Sequence, residues 1–424
     1  MNQIISNMIS RRDALAALGG SLLASAAPPT AVLEPKPAWK SEGEDRYDLL
    51  IKGGRVIDPS QDIDSGLDVA VRDGKIARLS ADIPASQARR VIEATGKIVT
   101  PGVIDLHTHV FPYAGPYGIE ADPHCVHKGV TTVVDAGTSG CFTFPAFRRY
   151  DIESASTRIR ALLHVVSIGM VAGSTPNMGE LEDLRYCVPK LAVQCAKENR
   201  DVILGFKIRF SAHYTGPNDV EGMKRARETA DEAGLPLMCH IAGPYSPLHD
   251  FLRLMKKGDI MTHCFNDLPH GILDANGKVK EEVWEARRRG VRFDVGHGAG
   301  SFSFDVAGKA LEQGFPPDTI STDLYSANVH GPVYDMPTTL SKFLLLGMEL
   351  PEIIRRTTVN AVQTFDFGVP IGTLKPGAEG DVSVFEMREG SFTFTDSYGK
   401  TRQGRQKISP VVTVRGGKVF YPAA

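Results

Sequence analysis

The stretch Thr100-Pro101-Gly102-Val103-Ile104-Asp105-Leu106-His107-Thr108-His109 decides how this chain is read. Its apolar run has the length and composition of a buried strand, and it leads directly into two histidines two positions apart. Side chains at i and i+2 of a strand share a face, so both imidazoles point to the same side of the sheet. Two neutral imidazoles side by side form a chelate for a transition metal. An isolated His-x-His is usually incidental, so its meaning depends on the sheet it belongs to.

Seven more short apolar runs follow, and helical or loop segments separate them. With the first run (102–106) they occupy 131–136, 161–168, 203–210, 235–241, 259–265, 291–296 and 319–324. Several intervening stretches, 220–233 and 280–289 among them, alternate as amphipathic helices do. Eight strand–helix repeats between residues 101 and 365 come close to the ~250 residues of a (β/α)8 barrel. The expected fold class is therefore α/β, a (β/α)8 TIM-like barrel over 101–365, with active groups at the C-terminal ends of its strands. Residues 47–99 and 372–421 alternate short strands with Gly/Asp turns instead. Neither flank is large enough for a good core of its own. They are expected to pair into one small β-sandwich built from 27–100 and 366–424.

The first 26 residues stand apart from that fold. Ser10-Arg11-Arg12-Asp13 precedes a run of small and apolar residues that stops at Ala24-Ser25-Ala26. A basic pair, a short apolar region and a small-residue cleavage site make a twin-arginine export signal over 1–26, which implies a periplasmic product. The run is too short and too rich in Gly and Ser to span a bilayer. In composition the chain is globular, with 42% hydrophobic and 23% charged residues. Lys+Arg 48 against Asp+Glu 50 leaves a charge of −2, without the basic excess that nucleic-acid or anionic-membrane surfaces need. Gly 42 and Pro 27 call for many turns, as in a barrel. The expected partners are a small-molecule substrate and the export machinery, and self-association stays open. The six cysteines form no C-x-x-C pair, and Cys239 and Cys264 sit beside histidines in apolar runs, as buried thiols do.

Other strand ends carry groups that match the two histidines. His240 closes the fifth run, His263 closes the core of the sixth, and Asp323 ends the eighth. Each alone is ordinary as a core histidine or helix cap, but together they line one mouth of the barrel. Lys207 interrupts the fourth run, where Leu204, Phe206, Ile208 and Phe210 form the face expected to pack on the outer helices. Gly205, Lys207 and Arg209 then point inward. A buried ammonium is costly unless it is paired or neutralised, and a neutral lysine amine can add carbon dioxide to become an anionic carbamate. That group offers two oxygens, enough to bridge two metals.

The order His-x-His, strand-four Lys, strand-five His, strand-six His, strand-eight Asp resembles the ligand pattern of the amidohydrolase superfamily with a binuclear centre. The resemblance covers nearly the whole chain after the first 26 residues. "YDLLIKGGRVID", "GKIVTPGVIDLHTH" and "IGTLKPGAEGDVSVF" look like that superfamily's opening and closing segments. "GVTTVVDAGTSG", "GFKIR", "THCFN", "DVGHGAGSFSF" and "STDLYSANVHGPVYDMPTTLSKFL" look like its bacterial amidohydrolase/deacetylase branch, often labelled dihydroorotase-like. The resemblance implies two divalent ions, zinc by preference. His107 and His109 would hold the more buried ion and His240 and His263 the more exposed one, with Lys207 as a bridging carbamate and Asp323 beside the buried ion. The ions would lower the pKa of a shared water and polarise a substrate carbonyl, and Asp323 would carry the proton to the leaving nitrogen or oxygen.

Arg209 lies two residues beyond Lys207 on the same face, where a guanidinium could clasp a substrate carboxylate or, equally, serve an internal salt bridge. His297 lies at the end of the seventh run between Gly296 and Gly298, a position suited to substrate contact. The loop 111–118, rich in Gly, Pro and aromatics, would wall the pocket, and His213 and Tyr325 also lie near strand ends. These residues point to hydrolysis of an amide or ester next to a carboxylate. N-acyl amino acids, acylated hydroxy acids and aromatic amides of the ochratoxin type all fit. A cyclic amide hydrolase of the dihydroorotase kind would use the same centre, although an export signal suits it poorly. A deaminase of the superfamily usually has one metal and no bridging lysine, and a silent metal- or ligand-binding protein would not need the proton carrier Asp323.

Overall fold

The computed structural model describes residues 47–171 and 179–422, so the export signal expected over 1–26 lies outside the described residues. The first flank supplies β1 (Leu49–Asp58), β2 (Ile63–Arg72), β3 (Lys75–Ser80), β4 (Val91–Glu93) and β5 (Ile98–Pro101). The barrel follows with β6 (Val103–Thr108), β7 (Val130–Gly140), β8 (Arg158–His164), β9 (Ile203–Phe210), β10 (Leu237–Ile241), β11 (Ile260–Thr262) and β12 (Arg292–Phe293). The second flank adds β13 (Val382–Thr395), β14 (Thr401–Arg415) and β15 (Lys418–Phe420).

β6 to β12 form one parallel sheet in sequence order. The eighth run makes no strand of its own. It closes the ring through two isolated parallel bridges, Asp294 with Thr319 and Thr108 with Leu324. The helices Asp219–Ala233 and Glu281–Arg288 form where the periodicity places them. In the first, Met223, Ala226, Ala230 and Ala233 are buried at helical spacing, and Gly234 at φ +64° ends it in the left-handed conformation that glycine adopts freely.

Alternation along the strands divides the barrel interior into two layers. Ile104, Leu106, Val134, Ala136, Leu162, Leu204, Met238 and Ile260 fill the lower layer. Phe365, Phe367 and Ile371 plug it from below, so the chain past residue 366 still belongs to the barrel core before β13 begins. Leu204 is the exception to the outward face expected of β9. The β8–β9 pairing shifts register between Ala161 and Leu162, which turns Leu204 inward while Phe206, Ile208 and Phe210 stay outward. One layer higher the inward positions become polar: His107, His164, Lys207 and Arg209 are all buried.

The two flanks do join, and they do so as one eight-stranded sheet in which β5 pairs antiparallel with β13. Its own core is Leu49, Ile51, Val56, Val69, Val71, Val99, Val382, Val384, Val412 and Val414. At the junction with the barrel, buried Arg158 of β8 forms ion pairs with Asp381 and Glu379. The far end of the β13–β14 hairpin reaches the barrel mouth. There Ser397 Oγ donates to Gly298 O at 2.9 Å and Tyr398 Oη to Gly300 O at 2.9 Å.

All six cysteines are free, and all but the half-buried Cys141 are buried. No helix among the described residues is long and apolar enough to cross a membrane.

Candidate metal centre

The upper layer of the barrel gathers the strand-end groups that the sequence singles out. Asp323 Oδ1 lies 3.3 Å from His107 Nε2 and 3.1 Å from His109 Nε2. Lys207 Nζ lies 3.0 Å from His107 Nε2. The ring centroids of His107 and His263 are 5.1 Å apart, and those of His240 and His263 are 4.2 Å apart. His107, His263 and Asp323 bring one ligand atom each within 4.8 Å of one another, a grouping that could hold a metal ion.

Hydrogen bonds at the far edge of each ring decide which nitrogen carries the lone pair. Thr262 Oγ1 donates to Asp294 Oδ2 at 2.7 Å, so it accepts from His107 Nδ1 at 2.9 Å and leaves His107 Nε2 as the lone pair. Thr138 repeats the arrangement: its hydroxyl donates to Asp135 at 2.7 Å and accepts from His109 Nδ1 at 2.8 Å. His263 Nδ1 donates to Gly296 O at 2.7 Å, and its Nε2 is buried with no partner. Ser211 Oγ donates to Ala242 O at 2.6 Å, so it accepts from His240 Nε2 at 3.0 Å and leaves Nδ1 as the lone pair of that ring. Four lone pairs, one of them on a buried nitrogen that nothing in the protein satisfies, make a donor set fitted to divalent metal.

Burial keeps these imidazoles neutral, the form that ligates. It pushes His109 down to about 3 and His263 to about 4, and holds His107 and His240 well below the ordinary value. The same burial raises Asp323 to about 6 and lowers Lys207 to about 8. Among the described residues Lys207 forms no ion pair, and its other contact is Met238 Sδ at 3.8 Å. The backbone is strained at two of the candidate ligands, His263 at φ +65° and Asp323 at φ +49°, a region that non-glycine residues rarely adopt. Gly296, at φ +46°, lets the chain pass close by, since a Cβ there would collide with Thr262 Oγ1 and crowd both His263 Nδ1 and His107 Nδ1.

A cavity of about 330 Å³ opens over this cluster. His109, His240 and Asp323 line its floor, Tyr117, Arg209, His213, Tyr214 and Tyr325 its sides, and Ala299 to Ser301 its rim. Arg209 is there as expected, but its guanidinium is already engaged. Nη2 pairs with buried Glu180, Nη1 donates to Tyr117 Oη at 3.1 Å, and Cζ stacks 4.0 Å over the Tyr214 ring. The internal salt bridge is therefore the one formed, and its partner is Glu180, a residue the sequence pattern did not expose. His213 and Tyr325, which carried little signal, line the cavity, and Tyr117 bears out the walling role of the loop 111–118.

His297, expected at the substrate, does not line this cavity. β12 ends at Phe293, and Gly296 and Gly298 at φ +46° and +56° turn the chain so that the His297 ring faces away from the cavity. It is fully buried, stacks on Phe302 at 4.5 Å and accepts at Nε2 from Lys342 Nζ at 2.7 Å. The role is structural: Lys342 is buried, and His297, Pro332 O and Thr395 O take its three N–H groups.

Residues 98–296 match the description "Amidohydrolase family", and residues 374–421 match "Deacetylase-like composite domain". A deacetylase of Enterococcus faecalis is 37% identical over 378 residues, which covers 88% of this chain and 99% of the relative. The chain belongs to the amidohydrolase family. Among solved structures, one described as an adenine deaminase is 37% identical and superposes with a TM-score of 0.82, covering 88% of this chain and 100% of that one. Another, described as a dihydroorotase, is 30% identical with a TM-score of 0.80, covering 88% and 98%. This amidohydrolase is thus a hydrolytic enzyme of a family that acts on carbon–nitrogen bonds and typically uses divalent metals, and the His/Asp cluster at its barrel mouth is a candidate site for them.

Proposed function

We propose that this amidohydrolase removes a small acyl group from an acylated acid, by hydrolysis of an amide or ester at a binuclear zinc centre. The observation that carries the reading is the cavity: lone pairs assigned by hydrogen bonding lie at its floor, and an arginine–tyrosine wall stands opposite. In this reading His107, His109, Asp323, Lys207 as a carbamate, His240 and His263 hold two divalent ions. Bound there, the ions supply an activated water at neutral pH and a Lewis acid for a carbonyl oxygen.

The chain's own residues do the rest. Asp323 faces the cavity and takes the proton from the attacking water, then returns it to the leaving nitrogen or oxygen. The Asp294–Thr262 and Asp135–Thr138 pairs fix the rings of His107 and His109, so that their lone pairs need no reorganisation. Glu180 neutralises Arg209, so an acid substrate is received by the Tyr117 and Tyr325 hydroxyls beside a guanidinium rather than by a bare cation. The share of the chain matched by the deacetylase supports removal of a small acyl group. A cyclic amide hydrolase is the second reading, favoured by the likeness to a structure described as a dihydroorotase.

One hydrolysis panel tests this. Purified protein with zinc is offered N-acyl amino acids, O-acyl hydroxy acids, their methyl esters, cyclic amides and adenine. Turnover of the free acids, with kcat/KM at least about tenfold above their methyl esters, is the expected result, an energetic difference of about 1.4 kcal/mol. Turnover of cyclic amides alone would favour the second reading. Two bound metals with no turnover of anything would indicate a binding protein.

A further inference from the structure

A second buried imidazole nitrogen lacks a partner, and it is of the opposite kind to that of His263. His164 ends β8, pairs in register with Lys207 of β9 and is fully buried. Its Nδ1 lies 3.0 Å from the backbone nitrogen of Val166. An amide N–H can only donate, so Nδ1 holds the lone pair and the proton of the neutral ring sits on Nε2. That Nε2–H is buried and meets no acceptor. A buried donor without an acceptor is costly, so the ring is poised to donate to a group placed beside it.

The position of the ring says which acceptor. A Cβ added at Gly137 would sit 2.7 Å from Lys207 Cγ and 3.3 Å from His164 Cδ2, so the Cδ2–Nε2 edge of the ring and the lysine stem share one space. We propose that His164 is a positioning residue whose Nε2–H donates to one oxygen of a carbamate on Lys207, holding that group in place. The inference rests on the carbamate reading given above. In forming the group, the neutral Lys207 amine attacks carbon dioxide. An N–C bond forms, one C=O pair moves onto oxygen, and one N–H proton leaves to water. The product carries one negative charge shared by two oxygens, of which His164 takes one.

The test reads the modification itself rather than turnover. Metal-depleted protein is titrated with ¹³C-bicarbonate and zinc, and the carbamate carbon is followed by NMR alongside bound zinc per chain. Wild type is expected to show the signal and take up two zinc ions, and Lys207→Ala to show no signal. His164→Phe keeps the bulk and removes the donor, and should need at least about tenfold more bicarbonate for half-maximal signal. His164→Gln keeps an N–H and should recover most of that loss. If His164→Phe does not fold, His164→Asn, whose amide is too short to reach, is read in its place. Wild-type bicarbonate dependence in the donor-removing variant overturns the role of His164 alone. Absence of the signal in wild type at any bicarbonate concentration overturns the carbamate reading beneath it.

Discussion

Asp323 shows how much depends on one residue. It sits at φ +49°, carries a carboxyl raised to about 6 by burial, and places one oxygen within 3.3 Å of two histidine nitrogens. Asp323→Asn keeps the shape of the side chain but cannot carry a proton. It is expected to fold and to bind at least one zinc, with kcat reduced by about 10²–10⁴. Kinetics with metal analysis on the same sample checks this, and near-wild-type turnover would remove Asp323 from the proton path. His240, His263 and Lys207 were legible because each is a polar group ending or breaking an apolar run. His164 ends the run Ala161-Leu162-Leu163-His164 with the same signature, but the ligand pattern assigns nothing to strand three. His297 has the same signature, but its ring packs on Phe302 and accepts from Lys342 and does not line the cavity.

At the scale of elements, short strands are made specific by side-chain bonds between them. β11 has three residues and β12 two, yet Asp294 just past β12 accepts from Thr262, Thr319 and Ser321 at 2.7, 2.6 and 2.7 Å. This fan of bonds ties the sixth, seventh and eighth runs together where the sheet is thinnest, and through Thr262 it orients His107. Thr262→Val preserves the shape of the side chain and removes the acceptor for His107 Nδ1. It should weaken zinc binding about 10–100-fold with the protein still folded, as read by competition against a chelator. Unchanged affinity would mean that packing alone orients the ring. The barrel was legible in the rhythm of apolar runs, but these cross-strand bonds were not. They join Asp, Thr and Ser residues that are unremarkable singly and distant in sequence. The inward turn of Leu204 was hidden for a related reason, since a register shift belongs to a pair of strands and leaves no mark in either one.

For the molecule as a whole, the upper barrel is a store of neutral histidines, and this sets how the metal-free protein responds to acid. His109 and His263 lie at about 3 and 4, and His107, His164, His240 and His297 are also pushed well down by burial. Between those values and the ordinary ~6.5 of histidine, the unfolded chain binds protons that the folded one refuses, so stability rises with pH. Asp323 and Asp151, raised to about 6, Asp105, raised to about 7, and Asp135, Asp259 and Asp294, also raised by burial, act in the opposite sense, because there the folded chain binds more protons. His124 and His213, likewise lowered by burial, bring these histidines to eight among the described residues. The histidines outnumber the raised carboxyls. The urea midpoint of the metal-free protein should therefore drop between pH 7 and pH 5, each uncompensated proton adding about 1.4 kcal/mol per pH unit. A flat profile across that range would contradict the neutral assignments. The pairing of the flanks was also legible, as two strand-rich pieces too small to stand alone, and it carries a consequence for biosynthesis. β5 pairs Ile98 with Phe385 of β13, so its partner leaves the ribosome only after the whole barrel has been made. At about 5–20 residues per second, that edge waits roughly 15–60 seconds. For all of that interval the nascent chain presents an open strand edge, which makes it a client for whatever shields such edges until translation ends.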